Sequence, residues 1–373
     1  MGILFGWIAY KREQSKRRRE IAAEIEAIGG FVSYDVVEES RWPWLQSILD
    51  QDPLDSVSSV SFNRCEIRKF DLSKLRFFSQ LKELSLHQTD CDDKSLTQLA
   101  RVLTIEKLEI YQSAITDNGL SYLQRHNLKE LRIYQSPITD AGLVHLRKWP
   151  RLECLILCET QISDAGLGNL HGCREILKLD LSSSAITDRG LIHLRDLNRL
   201  QELDLGNTAI TGTGLTHLEQ ANELQHLRLW GTNLTSEGCA AIANLKHLTS
   251  LNLMHAKITS QDLVHIAELK NLDWLCLDNT PIRDRGLAHL EQMPKLRSLD
   301  LGSTQITDAG LEHLVGLKCL ESLHLSQTKV TDVGLQYLQQ IPRLSNVIMY
   351  HANVTPAGVA QLQQRSPSLK ISF

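Results

Sequence analysis

Residues 199–222 read RLQELDLGNTAITGTGLTHLEQAN, and the same phrase returns along most of the chain. Its first half alternates. Leu203 and Leu205 sit between Glu202, Asp204 and Gly206, the period-two pattern of a short strand whose leucines face inward. The second half opens on Ile210-Thr211 and carries Leu215 and Leu218 three residues apart, the buried stripe of a short helix. The first apolar residues of successive copies are Val57, Leu81, Ile105, Leu128, Leu152, Ile176, Leu200, Leu224, Leu248, Leu272, Leu296, Leu320 and Leu344, so every step is 24 residues except one of 23. Thirteen repeats therefore run from 57 to 367 without a linker, and SLKISF (368–373) reads as a strand closing the far end. A chain of 373 residues exceeds one ordinary core, and the repetition selects an array over several domains.

The consensus is L-x-x-L-x-L-x-x-T-x-I-T-D-x-G-L-x-H-L-x-x-L. Parallel strands stacked about 4.8 Å apart form one sheet lining the inside of a curved ribbon, and two- to three-turn helices lie outside, which predicts an α/β solenoid bent into a horseshoe. A Thr or Ser follows the strand in ten repeats (Thr89, Ser113, Ser136, Thr160, Ser184, Thr208, Thr232, Thr280, Thr304, Thr328). Its buried hydroxyl is expected to bond the neighbouring repeat's turn, giving a ladder that Cys65, Ala256 and Ala352 interrupt. The Thr of I-T-D (Thr187, Thr307) suits an N-cap, and the Asp after it (Asp188, Asp308) meets the positive end of the helix dipole. Residues 199–222 lack that Asp and have Gly212 there.

Apolar residues make up 42% and aromatics 5% of the chain, a leucine-dominated composition suited to stacked identical layers. The net charge of −4 argues against nucleic acid. Eight scattered cysteines without framework spacing are expected to be reduced. Before the array come an apolar stub (1–10), a basic helical segment (11–30) with Lys11, Arg12, Lys16, Arg17, Arg18 and Arg19, and an N-terminal cap (31–56). One helix over 3–28 is predicted, with Ile21, Ile25 and Ile28 at helical spacing and Gly29-Gly30 ending it. In the cap, 31–37 alternates as a strand and 43–50 reads as a helix, with Trp42 and Trp44 buried. The stub is about half the length of a spanning helix, and three readings stand for it: the remnant of a membrane anchor, an interfacial anchor, or a hydrophobic cap. Beside the basic run, an anchor would put the array on the cytoplasmic side, with the six cations on anionic lipid; otherwise the chain is cytoplasmic.

ITDAGL at 138–143 and 306–311 and ITDRGL at 186–191 resemble the leucine-rich repeat superfamily, in particular bacterial proteins whose repeats follow one N-terminal membrane segment. They are also similar to the repeats of F-box substrate receptors. The resemblance spans 57–373, and EIEAIGGFVSYD matches the bacterial group's juxtamembrane segment more loosely. The stub is shorter than that group's membrane helix. WPWLQSILDQDPLDSV echoes an F-box only faintly, and the basic run has no place in one. The family implies protein binding on the concave sheet and brings no catalytic residue.

The residues suggest no chemistry either. His145, His193, His217, His265, His289 and His313 share one helix position, and helices 8 to 10 Å apart cannot bring two such imidazoles onto one zinc. Cys154 and Cys158 lack a matching second pair, and the glycines of 212–214 lie inside a helix start. No metal, cofactor or catalytic group is expected. Among outward strand positions two groups stand out: Tyr111 and Tyr134 beside Glu109 and Arg132, and Trp230, Met254 and Trp274 with Arg228, Asn252 and Asp278, flanked by Asp180 and Asp204. Aromatic anchors within polar groups suit a protein or peptide partner, although such rings also pack on one another across a sheet. The expected function is a non-enzymatic interaction scaffold; the alternative is an F-box-like receptor of a ubiquitin-ligase complex.

Overall fold

A computed structural model describes residues 2–34 and 53–373. The chain forms two compact units, Met1–Ile162 with Gly172–Ile176, and Ser163–His171 with Leu177–Phe373.

The first unit opens with a helix, α1 (Gly2–Ala27), ended by Gly29 at φ +87°, a left-handed backbone that glycine adopts without a Cβ penalty. Ile21, Ala22 and Ile25 bury one side of its second half, while Phe5, Trp7 and Tyr10 in its first half are exposed. Strand β1 (Gly30–Tyr34) then pairs antiparallel with β2 (Val57–Asn63). The expected strand at 31–37 thus covers 31–34; its last residues, the expected helix at 43–50 and Trp42 and Trp44 lie outside the described residues. From β2 the strands run parallel and in order: β3 (Glu83–His87), β4 (Lys107–Tyr111), β5 (Glu130–Tyr134) and β6 (Cys154–Cys158).

The second unit continues the pattern with β7 (Lys178–Asp180), β8 (Glu202–Asp204), β9 (His226–Arg228), β10 (Ser250–Asn252), β11 (Trp274–Cys276), β12 (Ser298–Asp300), β13 (Ser322–His324), β14 (Asn346–Ile348) and β15 (Lys370–Ser372). Each is parallel to the next, leucine beside leucine, as in Leu203, Leu227, Leu251, Leu275, Leu299 and Leu323. Each unit is therefore an open, unclosed sheet, parallel throughout except for the β1–β2 pair of the first, carrying helices on one side with the core between.

The helices are shorter than expected. Most span four to seven residues, and several are 3-10 helices, among them Gly142–Lys148, Gly190–Leu194 and Thr213–Leu218. The leucine spacing suits this: residues three apart eclipse in a helix of three residues per turn, so Leu191 and Leu194 are both buried there, and Leu197 beyond its end is buried as well.

The hydroxyl ladder takes a different form from the expected one. Thr208 donates to Leu205 O (2.6 Å), Thr232 to Leu229 O (2.6 Å) and Thr304 to Leu301 O (2.6 Å), each closing its own repeat's turn. The cause is the residue before the hydroxyl, which is left-handed in repeat after repeat: Gln112 at φ 50°, Asn207 at 52°, Asn279 at 53°, Ser303 at 55°. That turn folds the chain back until the carbonyl three residues earlier comes into reach. Ser113 and Ser136 do meet across repeats at 3.2 Å, and the Thr89 hydroxyl is buried without a hydrogen bond.

Repeats are joined instead by the I-T-D aspartate. Asp308 accepts the next repeat's Thr331 backbone N–H (2.8 Å) and hydroxyl (2.7 Å), and Asp93 with Thr116, Asp117 with Thr139, Asp164 with Thr187 and Asp284 with Thr307 repeat the arrangement. The consensus glycine follows from it, since a Cβ on Gly119 would lie 2.6 Å from the Asp93 carboxylate and one on Gly310 2.5 Å from that of Asp284. Where Gly212 replaces the aspartate, backbone approaches backbone, and Thr235 N–H donates to Thr211 O at 3.0 Å.

Candidate partner-binding face

Strand residues that point away from the helices form the open sheet face, and the cross-strand register places them in rows. In the first unit Tyr111 and Tyr134 are register partners with ring centroids 5.7 Å apart. His87 extends the row, 6.2 Å from Tyr111. Sequence reasoning passed over His87, although it holds the tyrosines' position one repeat earlier. Arg132, beside Glu109 in the register, pairs with Glu130 of its own strand at 2.8 Å.

In the second unit the two tryptophans separate. The Trp230 indole lies against Gly206, where any Cβ would overlap it, and sits beside the Asp204 carboxylate on β8. Trp274 sits beside Asp300 on β12, in the opposite direction along the sheet. No ring contact joins the two among the described residues. Met254 is half-buried between them in sequence, its N–H donating to Asn252 Oδ1 at 2.9 Å. Arg228 faces Glu202 at 3.7 Å, and Asp278 accepts the Gly302 N–H (2.6 Å) and faces His324 Nδ1 (3.3 Å).

The acids hold the face rigid. Asp180 accepts the N–H (2.9 Å) and hydroxyl (2.6 Å) of Ser182, and Asp204 accepts the Gly206 N–H at 2.9 Å, so each fastens the end of its own strand. Burial, reinforced by the charge of Asp180, pushes the Asp204 carboxyl up to about 6. Burial and then Asp278 raise Asp300 in the same way.

Among the described residues no three His, Cys, Asp or Glu side chains converge as metal ligands, and the eight cysteines are free thiols. In the histidine row, His145 contacts Gln124 at 2.9 Å and His313 contacts Glu291 at 2.6 Å.

At α1 the structure corrects one assignment. Arg18 is buried, 7% exposed, and paired with Asp55, so it is unavailable to lipid, and Arg17 lies over the Phe77 ring at 5.1 Å. No described helix is long and apolar enough to cross a membrane.

The repeat geometry agrees with a sequence comparison: a family model described as Leucine Rich repeat matches residues 172–194, 244–267, 292–315 and 316–338. The chain is a leucine-rich repeat protein. An internalin from Listeria monocytogenes superposes on this leucine-rich repeat chain with a TM-score of 0.65 at 22% identity, over 88% of this chain and 92% of the internalin. A leucine-rich repeat protein of Leptospira interrogans gives a TM-score of 0.58 at 16% identity, over 86% of this chain and 91% of that one. At these identities the likeness is one of fold. No curated protein is a significant sequence match. Proteins with this repeat generally mediate protein–protein interaction.

Proposed function

We propose that the chain is a non-enzymatic scaffold that binds a protein or extended peptide on the open sheet face, the face expected to be concave. One observation carries this: the face presents two half-buried aromatic rings, Trp230 packed against Gly206 beside the Asp204 carboxylate and Trp274 beside that of Asp300. Rings held before the partner arrives forfeit little rotamer entropy on binding, and aromatic anchors dominate interface energies. The test is to select peptides from a displayed library on the purified chain and measure their affinities for Trp230→Ala and Trp274→Ala. Each substitution is expected to weaken capture by about thirtyfold, a hot-spot loss of about 2 kcal/mol. Unchanged affinity, with an unchanged circular dichroism spectrum, would remove these rings from the interface.

A membrane-held location is a second proposal, supported by the exposed Phe5, Trp7 and Tyr10 beside Lys11, Arg12 and Lys16 on α1. Cosedimentation with phosphatidylserine vesicles tests it, and recovery wholly in the supernatant rejects it. The F-box-like alternative draws no support from the described residues.

A further inference from the structure

Three strands of the first unit carry a grid of nine outward side chains: Glu83, Ser85 and His87 on β3, Lys107, Glu109 and Tyr111 on β4, and Glu130, Arg132 and Tyr134 on β5. Ser85 is the one position of the nine with neither charge nor ring. Its short side chain leaves a depression of about 160 Å³, floored by Leu84 and Leu108 and walled by the charged residues. At about 30 Å³ for each water molecule, that is room for one long side chain and not for a folded surface.

The charges in the depression are unequal. Lys107 lies 2.9 Å from Glu83 and 3.3 Å from Glu130, and Arg132 lies 2.8 Å from Glu130. Three carboxylates thus face two cations. Glu109 is the carboxylate left over: its contact is His87 Nε2 at 3.6 Å, and that nitrogen is buried without a hydrogen bond. The row His87, Tyr111 and Tyr134 continues the surface beyond Glu109 with aromatic faces. A surplus carboxylate, an opening of one side chain's size and adjoining aromatic faces together suit a cation on an alkyl stem. A guanidinium fits better than an ammonium, because it offers a flat fork to the carboxylate and stacks on tyrosine.

We infer that this depression is a subsite for one arginine side chain of a bound peptide, with Glu109 as the counter-charge and the Tyr111 and Tyr134 rings, next along the strands outside the lining, as the adjoining stacking surface. The inference rests on the open sheet face being the binding face. It assigns the first unit a basic partner segment, where the second unit offers its tryptophans.

The test is an NMR titration of the full chain with acetyl-Gly-Gly-Arg-Gly-Gly-amide and with the same peptide carrying citrulline, which keeps the shape and removes the charge. The arginine peptide is expected to bind at least about fivefold more tightly, and Glu109→Gln to abolish that preference, the scale of one partly exposed ion pair. Equal affinity for the two peptides, an unaltered preference in Glu109→Gln, or no binding of either peptide overturns the inference. So does tighter binding of a lysine peptide. Trp230→Ala with Trp274→Ala is the control that separates the two readings: if it abolishes capture of library peptides while Glu109→Gln has no effect, the scaffold stands and the arginine subsite falls. If the arginine preference holds while the tryptophan variants are silent, the subsite stands and the tryptophan anchors fall.

Discussion

Asp204 is a carboxylate whose ionisation the fold resists. It is 9% exposed, and its carboxyl is raised to about 6, against about 3.9 for an unfolded aspartate. The folded chain therefore holds this proton more tightly than the unfolded chain does. The resulting stabilisation is complete below about pH 4 and is lost as pH rises through about 6. Asp204→Asn removes the titration, so the stability of the natural chain relative to that variant should fall by about 2 kcal/mol between pH 4 and pH 7. Urea midpoints at the two pH values measure it, and a difference independent of pH would refute it. Gly334 supplies a second residue-level case. Its backbone is ordinary right-handed helix at φ −68°, where alanine is normally the better residue, yet a Cβ there would collide with the Asp308 carboxylate. Gly334→Ala should cost about 1 to 3 kcal/mol, and Asp308→Ala a similar amount by orphaning the Thr331 N–H and hydroxyl. In the double variant the collision disappears. The two losses should then sum to more than the double loss by at least about 0.5 kcal/mol, and strict additivity would mean that the glycine has another reason.

At the scale of the element, the turn after most parallel strands holds a non-glycine residue in the left-handed region, a conformation that costs about 1 kcal/mol, and Gly231 takes the place after β9. In the first unit the side chains at this position link in series. Arg64 Nε donates to Gln88 (2.6 Å), Gln88 to Gln112 (2.6 Å), Gln112 to Gln135, and Gln135 to Glu159 (2.8 Å). His255, at φ 58°, occupies the same position in the second unit outside any such chain of amides. His255→Gly should therefore raise stability by up to about 1 kcal/mol, whereas Gln112→Gly sheds two side-chain bonds and should gain nothing. Chemical denaturation of both variants checks the contrast, and an equal gain would show that the amide series contributes no stability. The strand-and-helix alternation was legible because leucines at periods two and three are imposed by burial itself. The left-handed turn was not, since Gln, Asn, Ser and His all fill it and no single residue type marks it. The pairing of Arg18 with Asp55 was hidden for another reason: 37 positions separate the partners in a segment without period.

For the molecule as a whole, the period of 24 decides the architecture, and the open face follows from strand alternation. Which rings lie on that face could therefore be read from the sequence. How they lean could not: Trp230 and Trp274 share a face and differ in which neighbouring carboxylate they lie beside, Asp204 on the preceding strand or Asp300 on the following one. The aspartate bond between repeats also runs one way, from each carboxylate forward to the next repeat's threonine. That polarity makes the repeat a self-contained heritable module. A duplication of residues 296–319 carries Thr307 and Asp308 together, so the copied threonine meets the original Asp308 and the copied aspartate meets Thr331, leaving neither group orphaned. A chain bearing that insertion should keep the circular dichroism per residue and the melting temperature of the original, whereas duplication of residues 296–307 alone, half a period, should not fold cooperatively. Equal behaviour of the two would reject the argument. Unequal crossing-over between copies of the gene can thus lengthen or shorten this chain by whole periods at little structural cost. Repeat number is then open to rapid variation in descent, while the phase of the repeat is not.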